Sequence, residues 1–355
     1  MTPKPSQARS LLKRYISVAL FAALGLLLLW FVTRGQDLEK IWKEFLGADF
    51  KWVLFSIMAG LMSHYLRALR WNLLIRSMNQ PAFTSTSFHA LMTGYLANLA
   101  VPRLGEITRC ATLTRHTGAP FTALAGTVVA ERVFDMFCLL ILIFLTVIIL
   151  FSFLSGFLDT YVFAPFLQMM DGRIWLLAIV ALVLLSMLVG FLLYMKGISS
   201  QKNSFPARIK RQVMAFWKGI LSLAVLKQKL LFVTYTVLIW FFYLMMVYLS
   251  FFALEATASL GIRGAFTILA LGSLGIVAPV PGGVGTYHFI VITTLTELFG
   301  IMSESATSYA YIAHASQTLM ILVVGSISWI ILSAGMRKKA VVPDEQGSAT
   351  LVSPD

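Results

Sequence analysis

Ala278-Pro279-Val280-Pro281-Gly282-Gly283-Val284-Gly285 interrupts a strongly apolar run, and Val101-Pro102-Arg103-Leu104-Gly105-Glu106 interrupts another in the first half of the chain. Proline removes a backbone donor and glycine admits left-handed backbone, so neither stretch continues a helix. A helical stretch resumes after each break, through Ile107 to His116 and through Tyr287, His288 and Glu297. In lipid such breaks are costly, because each unpaired amide or carbonyl forfeits several kcal/mol, on the order of a lost hydrogen bond in an apolar medium, unless protein, water or ligand satisfies it. The resumed helices therefore predict two N-termini with free N–H groups inside the membrane, each a seat for phosphate or carboxylate.

The surrounding composition supports lipid as the solvent. Of 355 residues, 59% are hydrophobic and 12% charged, and mean hydropathy is +0.84. A soluble domain carries about twice that share of charge. Apolar segments near 15–33, 50–68, 120–152, 174–195, 230–253 and 306–334 approach or exceed the ~20 residues of a membrane span. The expected fold is an all-α polytopic membrane protein of about six full spans plus two broken hairpins, 87–116 and 264–300. The first apolar run lacks a small-residue cleavage pattern and reads as a retained span.

Charge orients these pieces. The net charge of +13 sits between apolar runs, as cytoplasmic loops do, which argues against nucleic acid as partner. Lys4, Arg9, Lys13 and Arg14 place residues 1–14 in the cytoplasm. The mixed charges from Arg34 to Lys51 read as an outside loop, and Arg67, Arg70 and Arg76 as the return to the cytoplasm. Lys196, Lys202, Arg208, Lys210, Arg211, Lys218, Lys227 and Lys229 give a cytoplasmic loop at 196–229 with no acid in it. Arg208 to Leu226 suits either an interfacial helix or a solvated loop. Residues 336–355 read as a disordered cytoplasmic tail. On this topology the two hairpins enter from opposite faces. The halves 15–152 and 153–335 then form an inverted repeat.

Ionisable groups inside apolar runs mark the candidate site, because a charge at the bilayer centre costs roughly 2.5–3.5 kcal/mol. Glu131, Arg132 and Asp135 sit in the third span, and Arg109 and Glu106 follow the first break. These groups read either as ligand contacts or as a structural ion-pair cluster, for instance Arg132 with Asp135 or Glu106. His288 and His314, with Gln317 close by, occupy the second hairpin and the last span. Asn98, Arg103, Gly282, Gly283, Gly285 and Tyr287 complete the two tips. Cys110 and Cys138 form no metal or disulfide set and read as small packing residues. No nucleotide, metal or hydrolase motif is present, so no cofactor is expected.

Four strings carry a family resemblance: Arg67-Ala68-Leu69-Arg70-Trp71, Asn98 through Arg109, Glu131-Arg132-Val133-Phe134-Asp135, and Pro279 through Gly285. In order and spacing they resemble the flippase-like transmembrane region of lysylphosphatidylglycerol synthases, over about 15–335. The resemblance implies a protein that moves a lipid between leaflets of the cell (inner) membrane. Its partner would be an anionic or zwitterionic phospholipid or a lipid-linked headgroup, with a lipid-modifying enzyme as a further partner. The alternatives are a secondary transporter of a small soluble anion and a non-transporting component of an envelope-lipid pathway. Without a synthase domain, no aminoacylating activity is expected. The family often has Glu where this chain has His288, and Arg near where it has His314.

Overall fold

The computed structural model describes residues 23–150, 226–278 and 280–341, together with residue 182. The expected span at 174–195 apart from residue 182, the tail 1–14 and nearly all of the basic loop 196–229 lie outside the described residues. Within them all regular structure is helical. The chain runs through α1 (Ala23–Thr33), α2 (Leu38–Leu46), α3 (Phe50–Ser77), α4 (Thr84–Ala100), α5 (Leu104–Thr117) and α6 (Phe121–Ile149). It resumes with α7 (Lys229–Phe251), the short α8 (Glu255–Ala258) and α9 (Gly261–Val277). A tight turn at Pro281–Gly283 precedes α10 (Thr286–Thr293, extended by a wider turn to Leu298) and α11 (Ser303–Val341). Helices α3, α7 and α11 are long and apolar enough to cross a bilayer.

Several boundaries differ from the sequence expectation. Residues 38–46 are a helix rather than loop, because Asp37 caps it by accepting from the N–H groups of Glu39 and Lys40. Helix α3 continues past 68 to Ser77. Arg67 and Arg70 are therefore buried helix residues and not loop charges. The last helix continues to Val341, into the expected tail.

The two halves share one plan. The first packs α3, α4, α5 and α6 around Trp71, Ile75, Cys110, Leu113 and Leu124. The second packs α7, α9, α10 and α11 around Phe251, Ile268, Val291, Leu295 and Tyr309. Helices α3 and α7 make the largest helix–helix contact, joining the halves along their long axes, and α4 packs on α11 as α9 packs on α6.

The correspondence holds residue by residue at a separation of 182. Arg103 and Gly285 each precede a helix with positive φ, 65° and 84°. Leu104 and Thr286 begin those helices, Gly118 and Gly300 follow them with φ of 75° and 65°, and Phe121 and Ser303 begin the next. Left-handed backbone is costly for residues other than glycine, so its recurrence at matched positions marks a shared local fold.

Candidate functional site

The first break is closed from within. Val101 ends α4 in extended conformation, and Arg103, exposed at the tip, adopts left-handed backbone. The Asn98 side chain then turns back and accepts from the Gly105 N–H at 2.6 Å. Gly105 lies against Gly94 of α4 so closely that a Cβ there would overlap the Gly94 carbonyl and the Asn98 amide. This contact draws α4 and α5 together.

The second break follows the same logic with other groups. Thr286 donates to the carbonyls of Gly275 at 2.7 Å and Gly283 at 3.1 Å. The Gly285 N–H is directed at Nδ1 of His288, 3.4 Å away. Gly285 also packs on the backbone of Gly25 in α1, where no Cβ could be accommodated. At both helix starts the expectation of free N–H groups is thus corrected at Gly105 and Gly285, because Asn98 and His288 supply acceptors. The two tips approach each other: the Cβ direction of Gly282 points at the Leu99 side chain, and α4 packs on the turn that holds Gly282.

Beside the first tip lies a buried charge cluster. Residues 67 and 70 share one face of α3, and 131 and 135 share one face of α6. Arg70 reaches Asp135 at 2.6 Å and Glu131 at 3.2 Å. Arg67 reaches Asp135 at 3.1 Å, and Arg109 of α5 reaches Glu131 at 2.9 Å. Arg70 and Glu131 are fully buried. Three guanidinium groups face two carboxylates, and aromatic faces help hold the excess cation. Arg109 stands 4.8 Å over Trp71, Arg70 5.5 Å over Phe232 and Arg67 5.7 Å over Tyr243. Thr236 accepts a further bond from Arg70 at 3.1 Å. Ion pairs tie α3, α5 and α6 together at one point, and Thr236 joins α7 to them.

Arg132, the next residue round α6 from Glu131, makes no salt bridge within this cluster and pairs with Glu106 at 3.1 Å in a half-exposed position. Of the pairings open from sequence, Arg132 with Glu106 is the one that forms.

The second tip carries neutral chemistry. His314 Nε2 lies 2.9 Å from the Gly282 carbonyl. A carbonyl only accepts, so Nε2 bears the hydrogen and Nδ1 is left as an acceptor. His288 receives the Gly285 N–H on Nδ1, so its Nε2 bears the hydrogen and is a donor. The two rings are 4.7 Å apart, with Tyr311 4.9 Å from His288 and Tyr287 5.2 Å from His314. Both histidines border a groove of about 770 Å³ whose other walls are mainly apolar, from Leu29, Phe50, Leu54, Leu319 and Leu322 among others, with Tyr311, Ser316 and Thr318 also lining it. Gly283 is buried at the base of this tip. Gln317 points elsewhere, toward Gly60 of α3 and Met246 of α7.

The family model for the lysylphosphatidylglycerol synthase TM region matches residues 15–325. The chain belongs to this family. Membership makes it a membrane protein of lipid metabolism or transport. No curated protein and no solved structure matches the chain. Within this member of the lysylphosphatidylglycerol synthase TM-region family, Asn98 and Arg103 lie at the first tip and Gln317 lies apart, and most of the other candidate residues fall into three groups. Arg109, Glu131 and Asp135 join the buried cluster. Glu106 and Arg132 form a separate pair. Gly282, Gly285, Tyr287, His288 and His314 gather at the second tip. Sequence reasoning took Arg67 and Arg70 as topology markers and passed over Thr236 and Tyr243 altogether. The available signal was a pair of cations at i, i+3 facing a pair of acids at i, i+4 on another apolar helix.

Proposed function

We propose that this protein is a translocase of the inner membrane that moves a phospholipid or lipid-linked headgroup between leaflets, without enzymatic activity of its own. In this reading both termini are cytoplasmic and the broken pairs α4–α5 and α9–α10 enter the membrane from opposite faces, meeting at Leu99 and Gly282. The observation that carries it is the groove at the second tip. Its walls are mainly apolar and its inner end offers a donor on His288 beside an acceptor on His314. That division suits an amphiphile, with acyl chain along Leu54, Leu319 and Leu322 and a polar headgroup at the imidazoles. A small soluble anion would gain nothing from the apolar walls.

The charge cluster serves this site by position. It is committed to internal ion pairs, so it holds α3, α5 and α6 as a rigid wall beside the first tip. Reconstitution into vesicles with fluorescent phospholipid tests the proposal. Protein-dependent exchange between leaflets is expected, and Leu54→Trp, which fills the groove, should abolish it. Exchange unaffected by Leu54→Trp would remove the groove from the path.

A further inference from the structure

The offset of 182 residues aligns more than backbone. It places Glu106 on His288 and Arg132 on His314, so the half-exposed ion pair of the first half occupies the positions of the imidazole pair in the second. The ion pair also borders a groove, of about 490 Å³, between α5 and α6. Five positions of this groove, at Glu106, Val129, Arg132, Val133 and Met136, have counterparts bordering the larger one, at His288, Tyr311, His314, Ala315 and Thr318. The two grooves are therefore equivalent features of the repeat, differing in the chemistry of their polar pair.

We propose that the α5–α6 groove is a second lipid site, selective for a zwitterionic glycerophospholipid. Ile107, Phe121 and Met136 are exposed along it and no described helix covers them. In a membrane protein the available occupant is an acyl chain of the surrounding bilayer. The headgroup class follows from charge complementarity. Glu106 and Arg132 present one negative and one positive group side by side, with side chains 31% and 41% exposed. Glu106 Oε2 and Arg132 Nε are the buried atoms of the pair, and neither has a hydrogen-bond partner in the protein. A phosphate can lie against the guanidinium while an ammonium lies against the carboxylate. An anionic headgroup with no ammonium satisfies only Arg132 and meets the Glu106 charge.

The site stands apart from translocation and is tested by labelling. The full chain, in mixed-lipid nanodiscs, is photolabelled with a phosphatidylethanolamine bearing a diazirine in its acyl chain, and labelled peptides are mapped by mass spectrometry. Label is expected within 106–136, competed at least roughly tenfold better by unlabelled phosphatidylethanolamine than by phosphatidylglycerol, the worth of one charge-assisted contact. Glu106→Gln should erase that preference, and Val129→Trp, which fills the groove and leaves the pair intact, should erase the label. Equal competition by both lipids, or a preference unchanged in Glu106→Gln, would overturn the proposal and leave the pair as a brace between α5 and α6. Failure of vesicle exchange would leave this labelling pattern untouched, so the two readings fail separately.

Discussion

The two halves build the same scaffold and fill it differently. In the first half, positions 109, 131 and 135 are Arg, Glu and Asp, all drawn into one buried ionic cluster. Their counterparts in the second half, Val291, Ala313 and Gln317, are neutral. The pair Glu106–Arg132 is likewise charged where His288–His314 is not. One half is clamped by ion pairs among three helices. The other is held by glycine contacts and single hydrogen bonds around its tip, which are individually weaker and easier to rearrange. The contrast assigns rigidity to the first half and adjustable polar chemistry to the second.

The largest effect should come from unbalancing the clamp. Glu131→Gln removes the carboxylate that Arg109 pairs with in a buried site and leaves Arg70 with Asp135. It is expected to cost about 3–5 kcal/mol, visible as a lowered melting temperature in detergent. Ala313→Glu places a carboxylate at the equivalent position of the second half, where no such arginine cluster was found among the described residues. It should destabilise rather than clamp, and a stabilised protein would break the comparison.

Next in size is the packing of the first tip. Gly105→Ala forces a Cβ into the Gly94 carbonyl, and a loss of about 1–3 kcal/mol is expected from the same melting experiment. Smallest is Glu106→Gln/Arg132→Gln, which removes both charges together and leaves neither unpaired. Its stability should stay within about 1 kcal/mol of wild type. A loss as large as that of Glu131→Gln would show that this pair too belongs to the clamp.

Much of the architecture was legible because its determinants are local. The Pro and Gly at 101–105 and 279–285 announce both breaks, and apolar length announces α3, α6, α7 and α11. The C-terminal end of α3 and the fate of Arg67 and Arg70 were not legible. Positive charges beside an apolar run look the same in sequence whether they face the cytoplasm or a carboxylate sixty residues away. Glu131 and Asp135 were visible as anomalies, yet their partners are set by how α3 crosses α6, which no local pattern encodes. The filling of the helix starts was missed for a related reason. Asn98 lies seven residues from the N–H it accepts, and only the tight turn at Arg103 brings them together.

In the proposed function the neutral pair at the second tip handles a lipid headgroup while the clamp only supports it. The most direct test is leaflet exchange of fluorescent phospholipid in vesicles containing His288→Ala/His314→Ala, compared with wild type at equal reconstitution. Exchange is expected to fall by roughly tenfold or more, the loss of two headgroup hydrogen bonds, with the fold retained at a melting temperature lowered by the lost bonds to Gly285 and Gly282. Exchange at the wild-type rate in that variant would contradict it.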